Sequence, residues 1–113
     1  MSNERPDLSA VVPAFDERDN LPVLVEELRA ALDATGKHWE MVLVDDGSRD
    51  GSAEWIVSAA ALDPRIVPVI LEKNVGQSGA LAVGLLRARG AIVVTLDAVV
   101  VGNGGMTIPA CTC

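Results

Sequence analysis

The feature that most constrains this chain is a regular alternation between two kinds of apolar pattern. Four short runs read as strands: Leu8 to Pro13 (LSAVVP), Glu40 to Val44 (EMVLV), Arg65 to Leu71, and Ala91 to Leu96 (AIVVTL). Between them lie segments of helical character. Leu21, Leu24, Val25, Leu28 and Leu32 recur at helical spacing, a second segment runs from Asp50 to about Leu62, and a third from Gly76 to Arg89. The order is β-α-β-α-β-α-β. The first, second and fourth runs are continuously apolar, which marks burial on both faces of a parallel sheet covered by helices. Right-handed crossovers then predict an α/β, Rossmann-like fold, a doubly wound parallel sheet with helices on both faces.

The punctuation agrees with this reading. Asn20 offers a cap to the first helix, Pro22 sits in its first turn, and Gly36 stops it. Asp50 is placed to cap the second helix, and Asp63-Pro64 ends it. Pro68 assigns the third strand to an edge of the sheet, because it has no N–H for a second neighbour. Gly90 closes the third helix.

A length of 113 residues allows one domain with a real core. Half of the residues are apolar, which excludes disorder of the whole chain. A net charge of −7 and only 3% aromatic residues argue against nucleic acid as a partner, though not against a small phosphate ligand. The N-terminus lacks the basic start and apolar run of a signal peptide, and the apolar stretch from Ala91 to Val101 is broken by Asp97. A cytoplasmic chain is expected, including a peripheral place at the inner face of the membrane. Cys111 and Cys113 read as two free thiols on a tail, since a structural zinc site wants four ligands.

Ligands of doubly wound sheets bind beyond the carboxyl ends of the strands. There the sequence places Pro13-Ala14-Phe15-Asp16-Glu17 after the first strand, Asp45 and Asp46 after the second, and Asp97 after the fourth. Carboxylates converging from three strand ends repel one another unless a divalent cation, or donors such as ribose hydroxyls and base N–H groups, lie between them. Neither a dinucleotide-binding G-x-G-x-x-G after the first strand nor a P-loop is present. Gly76-Gln77-Ser78-Gly79 opens the third helix, either exposing backbone N–H groups to a phosphate or allowing close helix–sheet packing. His38, the only histidine, reads as a surface residue, and Trp39 and Trp55 as packing residues. Arg18, Arg49 and Lys73 lie near the expected ligand edge, with solvated surface charge as their default role.

Three segments, VVPAFDERDNLP, VLVDDGSRDGS and LEKNVGQSGALAVGLLRARGAIVVTLDA, together resemble family 2 glycosyltransferases of the GT-A fold. The likeness is to the branch that moves a sugar onto a polyprenyl or dolichyl phosphate, as in dolichol-phosphate mannosyltransferases, and it covers roughly residues 8 to 98. The resemblance implies that Pro13, Phe15 and Glu17 line a nucleotide-base pocket and that Val44 and Asp46 contact base or ribose. Asp16 stands where the family usually has Asn. Asp97 and Ala98 would open an Asp-X-Asp motif, with Asp97 holding Mg²⁺ or Mn²⁺ on the diphosphate of a UDP- or GDP-sugar. The acceptor in such relatives is a lipid phosphate.

The pattern then breaks. Val99 replaces the second metal-binding Asp, Val101 stands in place of a Gln, and no charged residue follows Ala98. An isopropyl group cannot coordinate a cation. Residues 1–98 are thus expected to form the nucleotide-sugar-binding half of a transferase domain, and residues 99–113 a divergent, uncharged tail. A frameshift or premature stop in a longer gene would leave such a chain, inactive alone; a short natural protein is the other reading. A non-enzymatic module that binds a nucleotide or a partner is the alternative function. In that reading the fourth strand is an unguarded edge through which the chain self-associates.

Overall fold

The structure is a computed structural model and describes residues 5–95 and 111–112. The strands are β1 (Leu8–Ala14), β2 (Trp39–Asp45), β3 (Ile66–Ile70), β4 (Ile92–Thr95) and β5 (Cys111–Thr112). The helices are α1 (Leu21–Ala34), α2 (Ser52–Leu62) and α3 (Gln77–Arg87). The strand order is β3-β2-β1-β4-β5, with β1 through β4 parallel and β5 antiparallel to β4. The chain moves outward from β1 through β2 to β3, then returns to the other side of β1 as β4. That reversal makes the carboxyl end of β1 a topological switch point.

Alternation along the two central strands builds the core on both faces. Ala10, Val12, Met41 and Leu43 join Leu21, Leu24, Val25 and Leu28 of α1 and Ile56 of α2 in one apolar cluster. Val11, Val42 and Val44 point the other way and meet Ala80 of α3. Every residue of β1 and β2 is buried, as the continuous apolar runs require. β3 is an edge strand, as Pro68 demands.

β4 departs from the expected double burial. Ile92 is 43% exposed, and only Thr95 of this strand is buried. The reason is lateral placement: α3 lies over β1 and β2 rather than over β4. The edge of β4 is covered over its last two residues. Val94 pairs with Thr112 and Thr95 with Cys111, so two residues of the tail join the sheet instead of standing apart from it.

Two helix starts also differ from expectation. Asn20 precedes α1, but its side chain makes no cap; its Nδ2 donates instead to Glu17 Oε1 at 2.8 Å. The N-cap of α2 is Gly51, at φ +94°, not Asp50. Asp50 acts one residue earlier, its Oδ1 accepting from the Ser52 N–H at 3.0 Å.

The glycine that lets α3 approach the sheet is Gly84. A Cβ there would overlap Val11 Cγ1 and lie 3.0 Å from Val44 Cγ2. Gly90 serves the turn into β4, where a Cβ would meet Ser9 Oγ at 2.6 Å. That turn is fastened from beneath by a buried polar pair. Ser9 Oγ donates to Glu40 Oε2 at 2.7 Å, and the same oxygen accepts the Arg89 N–H at 2.7 Å.

A second polar cluster clasps α1, α2 and β2 at the foot of the sheet. The guanidinium of Arg65 lies 4.0 Å from the centre of the buried Trp39 ring and donates through Nε to Asp63 Oδ1 at 3.1 Å. Arg29 Nε stands 3.4 Å from Asp63 Oδ2, an ion pair without a proper hydrogen bond. The Arg65 hydrogen bond holds the Asp63 carboxyl below its ordinary value of 3.8, against the upward push of burial. A carboxyl lowered on folding contributes stability above its unfolded pKa, and loses it as pH falls through its folded pKa. Arg65→Ala is expected to cost about 1–2 kcal/mol at pH 6, a modest figure because the Arg65 side chain is 38% exposed and solvent screens the pair. The gap between wild type and variant in urea melts should narrow as pH drops below about 4.

Candidate functional site

Three loops meet at the carboxyl end of the sheet: residues 15–20 after β1, 46–51 after β2 and 71–76 before α3. Between them lies a cavity of about 260 Å³. Pro13 and Ala14 at the end of β1 and Phe15 and Glu17 of the first loop form one wall, Asp46 comes from the second loop, and Asn74 and Gly76 come from the third with Gln77 at the start of α3. Phe15 stands at the mouth, 45% exposed, whereas Asp46 is 3% exposed.

The Asp46 carboxylate organises this cavity. Its Oδ1 accepts the Val75 N–H at 2.7 Å, and its Oδ2 accepts the Gly76 N–H at 3.0 Å and Asn74 Nδ2 at 3.1 Å. Asn74 Nδ2 also reaches the Asp46 carbonyl at 3.2 Å. The backbone N–H of Asp46 donates to the Ala14 carbonyl at 2.8 Å, so one residue links all three loops. Gly76 reaches this position at φ +89°, a left-handed region that favours glycine. Gly47 is required as well: at φ +77°, a Cβ would stand 2.8 Å from the Asn74 backbone nitrogen.

This geometry decides what the cavity can hold. The N–H groups of Val75 and Gly76 just before α3 are committed to Asp46, so of the Gly76-Gln77-Ser78-Gly79 segment the Gly76 N–H is already taken. A carboxylate at that point also repels an anion. Of about four lone-pair directions on Asp46, three are taken, and the one left on Oδ1 suits a single N–H or O–H donor. The cavity therefore fits the uncharged, donor-bearing part of a ligand next to an aromatic ring.

Four of the residues expected from sequence, Pro13, Phe15, Glu17 and Asp46, stand together here. Val44 does not line the cavity; its side chain is fully buried against α3. Asp45 also turns inward, 1% exposed, with Oδ2 accepting the Ser48 N–H at 3.0 Å. The parity of β2 explains both, because residues two apart share a face with Leu43 or with Val42. Asp97, Ala98, Val99 and Val101 lie outside the described residues; of the carboxylates expected after β2 and β4, Asp46 is the described one that lines the cavity. Among the described residues no cluster of three His, Cys, Asp or Glu side chains could hold a metal ion. Asp46 has one lone-pair direction left and one Glu17 oxygen is bonded to Asn20, so these two do not make a cation site. Arg18 and Arg49 line a separate hollow with Glu54 and Trp55, and Lys73 is exposed. His38 is exposed, Trp39 is buried, and Trp55 packs partly buried on the core. Asn74 was not anticipated. An Asn three residues before a helix carries little signal, and its partner is 28 positions away.

The model of the family described as glycosyl transferase family 2 matches residues 9–98. The chain belongs to glycosyl transferase family 2. An undecaprenyl-phosphate 4-deoxy-4-formamido-L-arabinose transferase of Pectobacterium atrosepticum is 45% identical over 100 residues, covering 87% of this chain and 30% of that protein. Its counterpart from Shewanella sediminis is 46% identical over 93 residues, covering 80% of this chain and 28% of that protein. The chain thus spans less than a third of the length of these curated relatives. Among solved structures, the mannosyltransferase PcManGT from Pyrobaculum calidifontis, in complex with GDP-Man and Mn²⁺, superposes with a TM-score of 0.63 at 29% identity, over 85% of this chain and 28% of that one. Residues 1–349 of TarS from S. aureus, in complex with UDP, share the fold with a TM-score of 0.65, over 81% of this chain and 27% of that one. The sheet of this family 2 chain is therefore a Rossmann-like α/β architecture matching GT-A glycosyltransferases. Among its described residues no helix is long and apolar enough to cross a membrane.

Proposed function

We propose that these 113 residues form the nucleotide-binding half of a glycosyltransferase domain, holding the nucleoside of a UDP- or GDP-sugar. The observation that carries this reading is the cavity at the end of β1, which Phe15 and Asp46 line together. The exposed Phe15 ring offers a face to a planar base, and Asp46 Oδ1 accepts one base N–H or ribose O–H. Because Asp46 repels anions, the diphosphate would lie away from that carboxylate. Asp97 and Ala98 would meet the ligand. Asp97 would then be the single carboxylate for Mg²⁺ or Mn²⁺, a cation that neutralises a diphosphate and stabilises it as a leaving group. Val99 removes the second carboxylate and with it most of the metal affinity.

In complete relatives the reaction class would be transfer of a sugar from a nucleoside diphosphate to a lipid phosphate. For the 113 residues alone the reading is binding without transfer, in the cytoplasm or at the membrane surface where such lipids are reached. Residues 99–113 remain, on this reading, a divergent tail, although Cys111 and Thr112 extend the sheet.

Calorimetric titration with UDP and GDP, each with and without Mn²⁺, tests the proposal. Saturable binding that prefers one nucleotide is expected, with Mn²⁺ changing the affinity less than about threefold, because a lone carboxylate is a weak cation site. Phe15→Ala should weaken binding about tenfold, the value of one aromatic–base stack. A chain folded by circular dichroism that binds neither nucleotide would overturn the reading and leave the non-enzymatic partner-binding module.

A further inference from the structure

The loop that carries Phe15 and Glu17 has no regular secondary structure to satisfy its backbone. Asp16 is the only non-glycine residue with positive φ among those described, at +52°. Three consecutive N–H groups, those of Asp16, Glu17 and Arg18, point away from β1. Each finds its acceptor on a side chain of the loop after β2 or on Ser52, the first residue of α2. Asp16 N–H donates to Ser48 Oγ at 2.7 Å, Glu17 N–H to Ser52 Oγ at 3.1 Å, and Arg18 N–H to Asp50 Oδ2 at 3.1 Å. One bond returns, from the Arg49 N–H to Asp16 Oδ1 at 3.0 Å.

The acceptors are themselves oriented. Ser52 is fully buried, and its hydroxyl proton goes to Asp50 Oδ1 at 2.6 Å, which leaves a lone pair aimed at Glu17. Ser48 is set by its own N–H on Asp45 Oδ2. The carbonyl of Glu17 then accepts the N–H groups of Asn20 and Leu21, so the same clasp fixes where α1 begins. Hydroxyl, carboxylate and hydroxyl at alternate positions 48, 50 and 52 thus make a comb whose teeth match the three orphan donors.

We infer that Ser48, Asp50 and Ser52 are positioning residues that hold Phe15 and Glu17 against the cavity, an inference that rests on the nucleotide reading of that site. None of the three lines the cavity. Their effect on a ligand passes entirely through the backbone of residues 16–18. Asp16, in place of the more usual Asn, joins the comb as an acceptor for Arg49.

The test uses the isotope-labelled 113-residue chain and reads two quantities. Amide hydrogen exchange of Asp16, Glu17 and Arg18 is measured without ligand, and the Kd for the nucleotide that wild type binds is measured separately. Ser52→Ala is expected to speed exchange at Glu17 and Arg18 about tenfold, while Met41 and Val42 in the central strand stay as protected as in wild type. Kd should rise about tenfold with it. Ser48→Ala should release Asp16 alone, and Ser48→Thr, which keeps a γ-oxygen, should restore both protection and affinity. Ser58→Ala, on the exposed side of α2, should change neither.

Unchanged exchange at residues 16–18 in Ser48→Ala and Ser52→Ala would overturn the clasp, even with wild-type nucleotide binding intact. Faster exchange with an unaltered Kd would overturn the positioning role. A wild-type chain that binds no nucleotide but shows protected amides at 16–18 would fell the nucleotide reading and the positioning role together, leaving a purely structural clasp.

Discussion

Asp46→Asn is expected to lose nucleotide binding and to destabilise the chain by about 2–3 kcal/mol, although it changes one atom. The reason is the donor count. Oδ1 accepts from Val75 N–H, and Oδ2 accepts from Gly76 N–H and Asn74 Nδ2. Whichever way the amide turns, its NH₂ confronts at least one N–H donor. The group sits 3% exposed, so water cannot relieve the clash. The loop before α3 should detach, and with it the Asn74, Gly76 and Gln77 wall of the cavity. Asp46→Ala should cost about as much, because the same donors are left unpaired. Urea melts give the stability, and exchange of the Val75 and Gly76 amides gives the local cost. A variant as stable as wild type, with those amides still protected, would show that Asp46 is not the organiser of the cavity.

The second large effect concerns Gly84. Replacing glycine by alanine inside a helix normally adds about 1 kcal/mol of stability. Here the sign reverses. The new methyl would overlap Val11 Cγ1 and stand 3.0 Å from Val44 Cγ2, both on buried central strands that cannot give way. Overpacking of this kind costs about 1–3 kcal/mol, and α3 must lift from the sheet to relieve it. Gly84→Ala is expected to lose about 2 kcal/mol net and to lower Tm by about 8 °C. Gly84→Val adds two more carbons and a stiff χ1, and should cost over about 3 kcal/mol, leaving little of a small domain's stability. Gly36 is a useful contrast: a Cβ there meets nothing within 4 Å, and its φ of +71° is the only cost of substitution. A Gly84→Ala chain with raised Tm would mean that α3 does not pack as described.

The elements were legible in the sequence because their signals are local. Apolar continuity marked β1 and β2, helical spacing marked α1, and Pro68 marked the edge strand. Boundaries shifted by one or two residues, as at α3, where helix geometry begins at Gln77 and ends at Arg87. β4 misled because an apolar run reports only that burial is possible. Its neighbours decide the matter, and α3 lies over β1 and β2 instead.

The site was legible to the extent that strand ends carry it. Pro13, Phe15, Glu17 and Asp46 fall at the ends of two neighbouring strands, and adjacency in the sheet brings them together. The side chains of Val44 and Asp45 are buried like the rest of β2, a consequence of the strand being covered on both faces. What no local pattern reveals is hydrogen bonding across 28 to 35 residues. The saturation of Asp46 by the loop before α3, and the comb of Ser48, Asp50 and Ser52, are properties of loops brought side by side by the sheet. Asp50 shows the same in its chemistry. Loss of solvent pushes its carboxyl up, but bonds from the Ser52 hydroxyl, the Arg18 N–H and the Ser52 N–H outweigh that and hold it below 3.8. The comb is therefore expected to loosen only as pH falls below about 4, with exchange at Arg18 rising there first.

The most direct test of the account is a map of amide chemical shifts in the 113-residue chain titrated with UDP and, separately, with GDP. A second hollow forms a groove between α1 and α2, lined by Val25 and Arg29 on one side and Trp55 and Leu62 on the other. Saturable shifts confined to residues 14–18, 46–48 and 74–77, with that groove unmoved, are the predicted result. Saturable shifts centred on that groove, or on the hollow beside Arg18 and Arg49, with the Asp46 loop silent, would contradict it.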